Sequence, residues 1–203
     1  MSRLVLLRTS DYRRVRWKND GGWTTEIARE PAGAETQFAW RVSIADIESD
    51  GPFSSFPGVD RDLVLLAGAG MELSIDDAAP LRVDERFQHV RFRGEQVVEC
   101  RLLGGSTRDF NAMVRRGAMV AEVIARPLVG SMVIFPQVGT EWLIHVHAGH
   151  ATARDGQDEV SLSTGETLRI DFRHQGVGRI VLDGAGELVL VKFAPATARS
   201  DNG

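Results

Sequence analysis

Four stretches of the chain gather side chains capable of chemistry. His145 and His147 stand two apart in an apolar run, so in a strand their imidazoles leave the same face, and His150 follows just past Gly149. Three imidazoles so close could ligate zinc or another divalent ion. No acidic residue follows to complete such a set, and isolated strand histidines usually serve as hydrogen-bonding groups, so the expectation is no metal. Asp60-Arg61 leads into another apolar run. An arginine turned inward there would suit bidentate recognition of a carboxylate; turned outward it would form a surface ion pair. In Trp17-Lys-Asn-Asp-Gly-Gly-Trp-Thr-Thr-Glu26, Thr24 and Glu26 share a strand face and could offer hydroxyl and carboxylate together, beside a glycine turn and two indoles. Leu103-Gly-Gly-Ser-Thr-Arg-Asp-Phe-Asn-Ala-Met-Val-Arg-Arg116 is the densest polar cluster. If it is extended, Asp109, Asn111 and Met113 point outward on one face, and Arg108 and Phe110 take the other. Its glycine spacing fits neither a P-loop nor a dinucleotide fingerprint, and the chain holds no nucleophile elbow or His-Glu-x-x-His.

The elements that must position these groups are strands. Apolar or alternating runs at Leu4–Leu7, Trp40–Ile44, Leu63–Leu66, Val97–Leu103, Trp142–His147 and Leu188–Phe193 are bounded by Gly, Pro, Asp or Asn. Met113–Ile124 could be read as a helix, but Gly117 and three valines favour extended structure. Asp62–Gly70 and Leu143–His150 form a faint repeat, each an apolar strand ahead of a glycine turn, with Gly68 answering to Gly149. Leu162–Ile170 reads as a tight hairpin turned at Gly165.

With 24 basic against 28 acidic residues, a net charge of -4 removes the global positive field that nucleic acid or anionic membrane would require. Neither partner is expected. The lone Cys100 excludes an internal disulfide and suits a reducing compartment; it alternates with apolar neighbours as a core thiol would. No stretch reads as a signal peptide or membrane span, so the cytoplasm is the expected location.

Taken in order, Trp17 to Ile27, Trp40-Arg-Val-Ser-Ile-Ala-Asp46, Gly51-Pro-Phe-Ser54, Phe56-Pro-Gly-Val-Asp-Arg61 and Arg108 to Arg116 closely resemble the motifs of the HutD/Ves family, over roughly residues 4 to 195. The resemblance implies an all-β, cupin-like double-stranded β-barrel present twice in the chain, a bicupin. The first barrel would cover 1–125, with strands that can be shared, the second half 126–195, and a flexible tail 196–203. It also implies a link to histidine utilisation and a regulatory or accessory role with no assigned reaction. One departure bears on turn geometry: Asp20 stands where the family usually reads a run of glycines.

Carried over residue by residue, the motifs point to Trp17, Asn19, Thr24, Glu26, Arg41, Ser43, Arg61, Asp109, Asn111 and Arg115 as a ligand-binding region at one barrel mouth. The expected ligand is a small acidic metabolite such as urocanate or N-formylglutamate, held by arginine-to-carboxylate pairing without a cofactor. Two other readings stay open. One is a cupin enzyme, with Glu26 or Asp109 as general base or with the three histidines on a metal; the other is an interaction module whose edge strands pair with a partner or a second copy, a homodimer.

Overall fold

Alternation of buried and exposed side chains is the rule along this chain, and the elements follow from it. The computed structural model describes residues 4–31, 37–173 and 178–196. Its strands are β1 (Leu4–Leu7), β2 (Arg13–Arg16), β3 (Gly22–Glu30), β4 (Trp40–Ile47), β5 (Gly51–Pro52), β6 (Val59–Ala67), β7 (Met71–Ile75) and β8 (Leu81–Val83). They continue with β9 (His89–Arg93), β10 (Val98–Leu102), β11 (Thr107–Arg115), β12 (Met119–Ile134), β13 (Thr140–Asp155), β14 (Asp158–Ser163), β15 (Thr167–Phe172) and β16 (Ile180–Pro195). Among the described residues the only helical element is a 3-10 turn at Thr9–Asp11, and no helix is long and apolar enough to cross a membrane. The ambiguous segment from Met113 is strand on both sides of a turn, where Gly117 takes a φ of 79°. Of the expected tail, all but Ala196 lies outside the described residues.

Three sheets result, ordered β2-β3-β4-β11-β6-β9, β5-β10-β7-β8 and β1-β15-β13-β16-β12, with β14 also paired to β13. The first two enclose an apolar core that includes Leu63, Leu65, Leu73, Val98 and Cys100. The third encloses another, built on Ile144, Val146, Leu168, Leu188 and Leu190. A further layer joins the two units: Trp40, Val64 and Phe110 pack against Leu143, Val191 and Phe193, and the rings of Trp40 and Phe193 stack at 4.6 Å. Polar groups sealed in that seam are satisfied, as burial requires. Trp40 Nε1 donates to Glu141 Oε2 at 3.1 Å, and Arg169 bridges Glu141 to Glu30. Residue 125 falls inside β12, whose whole length pairs with β16, and β1 pairs with β15, so the chain's first strand sits with its last ones.

The faint repeat extends to whole strands. β6 pairs with β11 and β9, as the first half of β13 pairs with β16 and β15. β7 pairs with β10 and β8, as the second half of β13 pairs with β16 and β14. A bulge skips Leu66 in the first unit and His147 in the second, two residues before the matched glycine in both. Gly68 and Gly149 have φ of 99° and 84°, and a Cβ on either would stand 2.5 Å from Ser106 O or 2.1 Å from Ala185 O. Only glycine fits where the chain crosses so close to a neighbouring backbone.

The expected hairpin at Leu162–Ile170 is not one. β14 and β15 both pair with β13, at opposite ends of it, and do not pair with each other. Gly165 marks a corner instead, its N–H bonded to Val146 O at 2.7 Å. Sixteen residues of continuous β13 supply two partner sites where a local hairpin reading supplied one.

Candidate functional site

The interior of the first unit is only part apolar. Beside its core lies a cavity of about 540 Å³, walled by the 17–19 turn, β3, β4, the 52–56 segment, β6 and β11. Eight of the ten residues singled out above line it: Trp17, Asn19, Thr24, Arg41, Ser43, Arg61, Asp109 and Asn111. Glu26 lines an adjoining cavity of about 430 Å³. Arg115 lines neither; its Nη1 donates to Pro57 O at 3.2 Å and its guanidinium lies 5.9 Å from the Phe38 ring.

Period-two alternation puts Arg61, Asp109 and Asn111 on the inner face, since β6 and β11 place Leu63 opposite Asn111 and Leu65 opposite Asp109. The outward orientation expected for Asp109 and Asn111 is therefore corrected. Phe110 faces out toward the seam between the units, and the polar pair faces the cavity. The expected alternation holds along β11 and only its sense differs, because the second unit buries Phe110 on the opposite face.

Arg61 is 6% exposed and Asp109 1%. Nη2 of Arg61 donates to Asn111 Oδ1 at 3.1 Å and Nη1 to Ser54 O at 3.3 Å, while Nε has no partner. The guanidinium is ringed by Phe53, Phe56 and Phe92 at 5.3, 5.7 and 4.9 Å from their centroids. Asp109 accepts from the Asn111 amide through Oδ2, and its Oδ1 has no partner. Two orphaned polar atoms in one cavity are an unmet demand, since an unsatisfied buried group costs about 1–3 kcal/mol. Burial pulls Arg61 down to about 10, with Asp109 opposing and the nearby Arg41 charge reinforcing; it stays a cation at neutral pH. Burial pushes Asp109 up to about 7, against the pull of Arg61 and the Asn111 amide.

At the rim, a bulge between Glu26 and Ala28 shifts the alternation of β3, which brings Arg29 onto the face of Glu26. Burial acts to raise the Glu26 carboxyl, and the guanidiniums of Arg29 and Arg41 outweigh it, holding it below the usual carboxylate range. The preceding turn keeps the geometry that glycine would favour: Asp20 adopts φ 55°, which Asp tolerates, and Asn19 Oδ1 accepts from Gly21 N–H at 3.1 Å. Trp17 Nε1 donates to Thr24 Oγ1 at 2.7 Å, fixing the indole over the mouth.

Sequence reasoning missed Arg16, Lys18, Phe53, Phe56 and Met113 in the larger cavity, and Arg13 and Arg29 in the smaller. Phe53 and Phe56 sat in quoted motifs and could have been chosen as partners for an arginine. Arg29 could not, because a bulge has no signature here.

The histidines belong to the second unit's outer face. His145 is buried beside Phe110, 5.8 Å between centroids, with Nδ1 on Thr167 Oγ1 at 3.0 Å; His147 meets Phe87 edge-on at 5.8 Å. Among the described residues no group of three or more His, Cys, Asp or Glu is placed to hold a metal ion. Burial pushes the Cys100 thiol up to about 12, which leaves it unreactive.

Three comparisons frame this geometry. The HutD family model matches residues 9–190. A Pseudomonas putida protein described as an uncharacterized 21.2 kDa protein in the hutC 3' region is 50% identical over 111 residues, 55% of this chain and 58% of that one. The chain thus spans a little over half the length of the curated relatives it matches. The structure of HutD from Pseudomonas fluorescens superposes with a TM-score of 0.79 at 30% identity, over 96% of this chain and 100% of that one. The bacterial pirin YhhW of Escherichia coli, at 11% identity, covers 96% of this chain and 100% of its own with a TM-score of 0.68, a likeness of fold alone that sets the all-β architecture beside cupin-like proteins.

Proposed function

The chain belongs to the HutD family, and from that membership and the buried Arg61 we propose that it is a cytoplasmic accessory protein of histidine utilisation that binds a small acidic pathway intermediate. In this reading each unit is a cupin-like double-stranded barrel, and only the first is a receptacle. The observation that carries it is the Arg61 guanidinium, with Nε unpaired, facing a cavity of about 540 Å³ between phenylalanine rings. A carboxylate would supply the missing acceptor, and the ring faces suit a flat or extended carbon skeleton. Urocanate and N-formylglutamate meet both requirements. The position of the Pseudomonas putida relative in the hutC 3' region supports the pathway assignment.

A second reading is favoured by one feature: a buried carboxyl near pH 7 with a free oxygen is what a general acid or base requires. One experiment separates the two. The purified chain is heated with urocanate, N-formylglutamate, glutamate or histidine, and each mixture is then analysed for product by mass. Binding without turnover predicts a higher Tm with one acid, no product, and loss of the shift in Arg61→Met. Product that disappears in Asp109→Asn would replace the binding reading with an enzyme, and no shift with any acid would end it.

A further inference from the structure

The two cavities described above are neighbours, sharing Trp17, Lys18, Thr24, Arg41 and Phe56 in their walls. Together they are lined by six cationic side chains, Arg13, Arg16, Lys18, Arg29, Arg41 and Arg61, against two carboxyls, Glu26 and Asp109. On a chain whose net charge is -4, so positive a lining is a local construction. Some of that charge is already answered, since Arg16 is held by Glu48 and Asp20 and Glu26 holds Arg29 and Arg41. What is left unanswered falls at two depths.

At the inner pole Arg61 presents an unpaired Nε. At the mouth Lys18, which lines both cavities, has no hydrogen bond or ion pair among the described residues. Between them stands Arg41. Its Nε is committed to Glu26, but its Nη1 meets only the weak sulfur acceptor of Met113 at 3.9 Å. Its charge also bears on Arg61 and makes that guanidinium harder to keep protonated. A single anion at Arg61 would relieve the inner pole and leave the outer cations facing one another across the mouth.

We propose that the ligand is a dianion that spans both cavities, one acidic group on Arg61 and the second between Arg41 and Lys18. The proposal rests on the acid-binding reading above and narrows it: a ligand with one carboxylate fills half the site. Shape agrees with charge, because Trp17, Thr24, Arg41 and Phe56 line both cavities, so a branched or extended diacid reaching from one to the other lies against their side chains.

Calorimetry on the full chain tests this with matched pairs, glutarate against pentanoate and N-formylglutamate against N-formylglutamine, which differ in one negative charge at nearly constant size. The diacid of each pair is expected to bind at least about tenfold more tightly, the usual worth of one further charge-assisted hydrogen bond. Lys18→Met, a change at an exposed side chain without partners, is expected to remove most of that advantage and leave monoacid affinity within about twofold of the parent's. Equal affinity for the two members of each pair, or a Lys18→Met loss shared equally between them, would overturn the dianion while leaving an acid site intact. Absence of binding by any acid would remove both readings together.

Discussion

Where β6 carries Arg61, Leu63 and Leu65 into the interior of the first unit, β13 carries Trp142, Ile144 and Val146 into the second. Their partners continue the contrast. Asp109 and Asn111 lie opposite Leu65 and Leu63 on β11; Leu188 and Leu190 hold the corresponding places opposite Val146 and Ile144 on β16. Register, bulge and glycine are shared, so the difference is one of three side chains: arginine, aspartate and asparagine against tryptophan and two leucines. The second unit spends its interior on burial, at about 1.5–3 kcal/mol for each aliphatic side chain enclosed. The first gives up that stabilisation and keeps atoms of an arginine and an aspartate with no protein partner, where the second leaves the neutral indole N–H of Trp142 unpaired; a stability requirement alone would not maintain the charged pair. One frame thus carries a closely packed apolar interior in one copy and a polar-lined cavity in the other.

The sharpest way to break this comparison is to move the chemistry across. Leu188→Asp puts the Asp109 charge at its matched position, where no arginine or amide faces it. Burying an unpaired carboxylate in a closed apolar core is expected to cost more than about 4 kcal/mol and to lower Tm by roughly 10 °C or more. A thermal melt decides it. If Leu188→Asp melts within about 2 °C of the parent, the second interior admits water and the two units are less different than their residues imply.

How much of this was legible beforehand depends on range. Strand positions and the Gly68 and Gly149 match follow from local alternation, because side-chain direction in a strand is set by its own backbone, and eight of the ten residues picked out by the family motifs line the cavity. What local pattern could not supply is which side of a strand another element covers. Phe110 looked inward and Asp109 outward until the second unit was laid against β11. The same limit misled the hairpin at Gly165, whose strands answer to β13, and hid Arg29, whose face depends on a bulge at Ile27. Arg115, two residues beyond Met113 in the same strand, falls outside the cavity because β11 has by then run past its wall.

Acidity gives a gentler probe, since the two units hold buried titratable groups shifted in opposite senses. Asp109, ordinarily near 3.8, is pushed up to about 7 by burial. A folded state that binds this proton more tightly than the unfolded one gains stability that is complete below about pH 4 and lost as pH rises through 7. Between pH 5 and about 7 this gives stability that falls with rising pH and levels off above, and carboxylate binding that strengthens toward the acid side as Asp109 takes its proton and ceases to repel the ligand. Asp109→Asn keeps a polar partner for Asn111 and is expected to abolish both trends, seen as a Tm difference from the parent that widens from pH 5 to about 7 and stays constant above that. A parallel pair of pH profiles would show that Asp109 ionises in the fold as freely as in water.

His145 works the other way and over a narrower part of that range. Burial, with His147 and Arg108 adding like charge, pulls it from 6.5 down to about 3, so the folded state holds it neutral on Thr167. Its contribution is complete above pH 6.5 and is lost as pH falls, because the unfolded chain binds the proton and the folded one does not. From pH 6.5 to 5 the two groups therefore oppose one another, and the parent's stability should be nearly flat there. His145→Gln retains a hydrogen-bonding side chain of similar reach toward Thr167 and removes only the titration. Its expected signature is small, about 1–2 kcal/mol or a few degrees of Tm regained at pH 5 relative to pH 7.5. Combined with Asp109→Asn it should restore the flat profile that neither change gives alone. A double variant that still slopes between pH 5 and 6.5 would place the acid sensitivity elsewhere.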